Sequence, residues 1–97
     1  MAGNRKISQE AANAFENGRN MTKSNTSVMD GVLSLHGNAI AKFVEGDLFV
    51  TLAGWNTPTT RERLNALRGV GVHVKQYQPY LNDKPWNGEW VKVSDFS

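Results

Sequence analysis

The chain has 97 residues, 39% of them hydrophobic and 21% charged, with a net charge of +2 and no cysteine. This length suits a single domain that can bury its own core, and the absence of thiols excludes disulfides, thiolate metal sites and a cysteine nucleophile. The small positive balance excludes a mimic of DNA, which needs a dense acidic surface, and by itself gives nucleic acid only weak support.

The elements follow in chain order. Residues 1–6 read as a flexible lead, and Ser8 reads as an N-cap with Ile7 ahead of it and Glu10 in the first turn. Ala11, Ala12, Ala14 and Phe15 then make a short helix that Asn17-Gly18 ends; its small apolar face predicts docking at an edge. Residues 19–27, RNMTKSNTS, read as a polar loop. A strand is predicted from Val28 to His36, with Leu33 and Leu35 on one face, then a Gly37-Asn38 turn. A second strand runs from Ala39 to Val44, Glu45-Gly46-Asp47 turns, and a third strand, Leu48 to Ala53, is apolar on both faces.

Past Gly54-Trp55-Asn56, a helix opens at Thr57-Pro58, with Thr59 as the competing cap, and closes at Gly69. Thr60, Leu64 and Leu67 share its core-facing side, and Arg61, Asn65 and Arg68 share the next stripe. Val70, Val72 and Val74 alternate with Gly71, His73 and Lys75, which turns His73, Lys75 and Tyr77 outward. Residues 79–88 read as a turn-rich connection, and Glu89 to Val93 as a last strand with Val91 and Val93 inward and Trp90 and Lys92 outward.

Catalytic readings find no support in these residues. His36 and His73 stand far apart without metal-ligand spacing. There is no phosphate-binding Gly-x-x-x-x-Gly-Lys loop and no Gly-x-Ser-x-Gly elbow. Gly69-x-Gly71 lies between a helix and a strand, the wrong order for a dinucleotide fingerprint. The expectation is a protein that is not an enzyme and needs no metal or cofactor. A binding face is easier to argue. Were the strands at 70–75 and 89–93 to pair, His73, Lys75 and Tyr77 would face Trp90 and Lys92 as one aromatic, cationic platform. Arg61 and Arg68 suit bidentate contacts. Trp55 and Trp86 complete the candidate set, since aromatic residues and arginine dominate interaction hot spots.

At GNAIAK, AGWNTPTTRERLNALRGVGV and YLNDKPWNGEWVKV, with RKISQEAANAF near the start, the chain resembles a family of small bacteriophage proteins of unknown function. LHGN, GW-x-T-x-TTRERLN and the tryptophan-containing tail are the most specific parts. The resemblance implies a phage origin and the host cytoplasm as setting, and carries over no site residue. The expected fold is a single α+β domain over residues 1–97, with an antiparallel sheet of about five strands: a meander, a helix and a C-terminal strand pair, after an N-terminal helix. The expected function is binding a host protein, most simply as an inhibitor, with single-stranded nucleic acid as the alternative. No membrane partner is expected, since no run approaches the ~20 apolar residues of a span and MAGNRKISQEAANAF lacks a secretory core. A bare edge on the third strand would allow a homo-oligomer.

Overall fold

A computed structural model describes residues 2–54 and 56–96, residues 2–5 as backbone only. Helix α1 (Ala2–Glu16) precedes β1 (Met21–Lys23), β2 (Thr26–Met29), β3 (Val32–Leu35), β4 (Asn38–Val44) and β5 (Asp47–Val50). Helix α2 (Pro58–Asn65) follows, then β6 (Val72–Lys75), β7 (Gln78–Leu81), β8 (Lys84–Pro85), β9 (Val91–Lys92) and a 3-10 turn, Val93–Phe96. The fold is α+β, with an antiparallel six-stranded sheet in the order β1-β2-β3-β4-β5-β9 and a separate three-stranded sheet, β6-β7-β8.

The meander arises from two-residue turns whose central residues adopt positive φ, the arrangement that matches the right-handed strand twist. Asp30-Gly31 (φ 52 and 82), His36-Gly37 (52 and 81) and Glu45-Gly46 (51 and 85) each put glycine where a side chain is least tolerated. Asp30-Gly31 corrects the single strand predicted from Val28 to His36: it folds that run back on itself as β2 and β3, pairing Val28 with Leu33. The polar loop expected at 19–27 is instead mostly a hairpin: β1 pairs with β2 across a turn at Ser24-Asn25, and Thr26 of β2 is buried.

Helix α1 starts before the predicted cap. Ser8 lies inside it and is buried, and Ala11, Ala12, Ala14 and Phe15 all enter the core, so the helix is central and not an edge element. Its end is as expected: Gly18 turns left-handed (φ 71), and Arg19 N–H reaches the Ala14 carbonyl at 2.8 Å. Thr57 caps α2, its hydroxyl accepting from Thr60 N–H at 3.2 Å with Pro58 in the first turn, which decides between the two predicted caps.

The two helices and the inward residues of the large sheet share one core. Leu33, Leu35, Ile40, Val50, Leu52, Leu64, Leu67 and Val72 are buried, with Leu64 and Leu67 on the core-facing side expected of them. Val74 and Val91 are only half-buried, and Phe43 is 43% exposed with its ring stacked on Phe15 at 4.8 Å. A register shift between Leu33 and Ser34 in the β3–β4 ladder is why both Ile40 and Ala41 are buried, which strict alternation forbids. Each full burial of a Leu, Ile or Val contributes about 1.5–3 kcal/mol.

Gly88 joins the end of the chain to the large sheet. Its carbonyl accepts from the Thr51 hydroxyl at 2.7 Å and Leu52 N–H at 2.8 Å. A Cβ there would lie 3.1 Å from Leu52 Cδ1, on a backbone with φ 84.

Candidate functional site

The strand pair expected between residues 70–75 and 89–93 does not form. β6 pairs with β7 because Gln76-Tyr77 closes a tight hairpin, while β9 adds to β5 through Phe49–Lys92 and Val50–Val91. The predicted composite platform is therefore divided between two surfaces.

The first surface is the face of the large sheet turned away from the helices. Cross-strand register aligns Met29, Val32, Lys42, Phe49 and Lys92 in one row over β2, β3, β4, β5 and β9. Met29 is 51% exposed, Val44 42% and Trp90 40%. Both lysines are held within the protein: Lys42 Nζ sits 4.4 Å from the Trp90 ring centroid, and Lys92 Nζ lies 3.7 Å from Asp47. The face is thus an apolar row whose cations already have partners.

The second surface is the outer face of the small sheet. His73 faces Tyr80 across the β6–β7 ladder, and their rings stack at 5.1 Å, 5° from parallel. Lys75 pairs with Gln78 just before the turn, and Tyr77 at the tip is 97% exposed. The turn has φ 51 at Gln76 and 69 at Tyr77, with no glycine at either position. A left-handed backbone costs an ordinary L-residue on the order of 1 kcal/mol. Among the described residues, neither Lys75 nor Arg61 has a carboxylate within ion-pair distance. Arg61 donates to Asn56 Oδ1 at 2.5 Å and shares with His73, Glu62 and Gln9 a groove of about 590 Å³ between the helices and β6.

Other candidates take structural places. Trp86 is buried, its indole N–H donating to the Glu89 carbonyl at 2.9 Å, so it is a core residue and not a surface ring. Arg68 lies beyond the end of α2, so the predicted helical stripe breaks before reaching it. Its backbone N–H bonds Glu16 on α1, and its side chain is exposed. Asn65, the middle of that stripe, instead turns to β6: its amide accepts from Val72 N–H at 2.5 Å and donates to Val72 C=O at 2.9 Å. Trp55 lies outside the described residues.

Sequence reasoning overlooked Arg63. Its guanidinium is 1% exposed and donates to Thr26 Oγ1 (2.8 Å), Ser8 Oγ (2.7 Å) and Asn25 Oδ1 (3.4 Å), tying α2 to α1 and to the β1–β2 hairpin. Burial lowers its pKa from the ordinary arginine value and Glu62 acts in the opposite sense; arginine starts so far above neutrality that it remains charged there. No local pattern marks it, since Arg61-Glu62-Arg63 reads as a solvated helix flank.

A further cleft, about 480 Å³, has Leu35, Ile40 and Leu52 in its lining with His36, Asn38 and Thr57 around them. His36 closes the β3–β4 turn with its ring 3.4 Å from Asn25, on the large sheet, whereas His73 is on the small one. Among the described residues no three His, Asp or Glu side chains gather as a metal set, and no helix is long and apolar enough to cross a membrane.

Fold and surfaces together define a small α+β protein with two aromatic, lysine-bearing faces. Residues 4–97 match the family described as Kyanoviridae Gp96 protein, and the chain belongs to this family of small bacteriophage proteins of unknown function. No curated protein and no solved structure matches the chain.

Proposed function

We propose that this phage protein is a non-catalytic accessory factor that acts in the host cytoplasm by binding, and inhibiting, a host protein. The observation that carries this reading is the row of Met29, Val32 and Phe49, with Trp90 beside it, on the open face of the large sheet. Protein interfaces have apolar, aromatic centres with polar rims. Asp47, Lys92 and Lys42 provide such a rim, and because the two cations are already neutralised or capped by a ring, little positive charge remains here for phosphate. Phage membership of the family is consistent with a target in the infected cell.

The test is capture from host lysate with the wild type beside a Met29→Asp/Trp90→Ala variant. Both side chains are exposed, so the variant is expected to keep its fold. Loss of a central anchor worth about 2 kcal/mol lowers retention of the target roughly thirtyfold. Equal retention by the variant, or no host protein above background, defeats the reading.

A further inference from the structure

The β6–β7 hairpin differs from three of the four tight turns in the large sheet's meander; the fourth, Ser24-Asn25, also lacks glycine but puts an Asn in second place. Asp30-Gly31, His36-Gly37 and Glu45-Gly46 place glycine second in the turn, where Gln76-Tyr77 places a tyrosine at φ 69. Asn82-Asp83, the other turn of the small sheet, also lacks glycine, but Asn and Asp tolerate this backbone. Asn82 is besides tied by its side chain to Gly71 N–H and Gly69 C=O. Tyr77 has no such compensation: its ring is 97% exposed and joins no core. Strained backbone positions cluster where proteins make functional contacts, and here the strained side chain is given wholly to solvent.

What surrounds the ring indicates the contact. On the same face the His73 and Tyr80 rings stack on each other across the ladder, and Lys75 lies between that pair and the tip. Lys75 and Arg61 lack carboxylate partners among the described residues, in contrast to Lys92 on the large sheet. An exposed ring for a base and cations without carboxylate partners for phosphates are the complementary chemistry of an unpaired polynucleotide strand. We propose that the outer face of the small sheet, led by Tyr77 and supported by His73, Lys75 and Tyr80, with Arg61 across the groove beside His73, binds single-stranded nucleic acid by stacking and phosphate contact. This surface is distinct from the one assigned to a host protein, and neither assignment rests on the other.

Fluorescence anisotropy of a labelled fifteen-nucleotide oligo-dT, at low salt, tests it. The full chain is expected to bind; Tyr77→Gly weakens binding at least tenfold, and Lys75→Gln about threefold. The logarithm of affinity should fall with the logarithm of salt with a slope near −1.4, the value for about two phosphates on a single strand. Tyr77→Gly is expected to melt no lower than the wild type, because glycine relieves the left-handed turn; this separates lost contact from lost fold. No anisotropy change at low salt overturns the proposal, as does unchanged affinity in Tyr77→Gly. A photo-crosslinker at position 77 that captures a host protein, with no oligonucleotide binding, would assign the hairpin to protein recognition instead.

Discussion

The two sheets treat the same residue types in opposite ways. On the large sheet Trp90 lies against Lys42, and Lys92 reaches Asp47, so aromatic and cationic groups satisfy one another within the protein. On the small sheet Tyr77 stands clear of the surface and Lys75 has no ion pair among the described residues. Composition alone cannot separate the two cases. What separates them is register: the lysines of the large sheet have an acid or a ring as neighbour, while Lys75 faces Gln78 and the small sheet's one cross-strand ring pair, His73 and Tyr80, lies away from it.

The most severe way to break the contrast is to remove the support both surfaces share. Arg63→Ala leaves Ser8 and Thr26 without their buried donor and opens space between α1, α2 and β2. The expected loss is about 3 kcal/mol or more, seen as a fall in Tm of at least about 10 °C and as loss of both binding activities. Next comes Gly88→Ala, which acts where the segment leading to Trp90 and β9 is fastened. A Cβ 3.1 Å from Leu52 Cδ1 on a left-handed backbone is expected to destabilise by about 2 kcal/mol, measured by urea denaturation. In the captured-protein assay it should weaken the large-sheet surface more than the hairpin. Tyr77→Gly has the opposite sign in stability. Relief of the left-handed strain slightly exceeds the added freedom of the unfolded chain, for a gain of about 0.5 kcal/mol and a Tm raised by a few degrees. The smallest effect is that of Asp47→Asn. It releases an exposed ion pair, so stability changes by less than about 0.5 kcal/mol. The freed Lys92 should nonetheless raise low-salt oligonucleotide affinity about twofold on the face that lacked free cations. If it does not, neutralisation is not what distinguishes the two faces.

Local signals were legible in the sequence and long-range ones were not. Thr57-Pro58 announced the second helix because capping is decided within a few residues. Leu33 and Leu35 were assigned correctly by alternation. The Asp30-Gly31 turn was overlooked although its dipeptide is a strong hairpin signal, because an apolar run continues on both sides. The small sheet was hidden for two physical reasons: Gln76-Tyr77 carries no glycine, and Pro79 argues against a central strand. Of the candidate site, the outward direction of His73, Lys75 and Tyr77 could be read from period two. The separation of these residues from Trp90 and Lys92 could not, since it depends on which strand β9 chooses. Arg63 was beyond reach because its partners Ser8 and Thr26 lie 55 and 37 residues away in the chain.

The order of strands in the large sheet also bears on synthesis. From β1 to β5 each strand pairs with the one made just before it, so these hairpins can close as they leave the ribosome. The outer edge of β5 must wait for β9, since Val50 pairs with Val91. At 5–20 residues per second, the interval of about forty residues leaves that edge uncovered for about 2–8 s on every nascent chain. Leu48, Phe49 and Val50 are then at their greatest risk of pairing with a neighbouring copy, and the two-residue strand β9 ends that exposure.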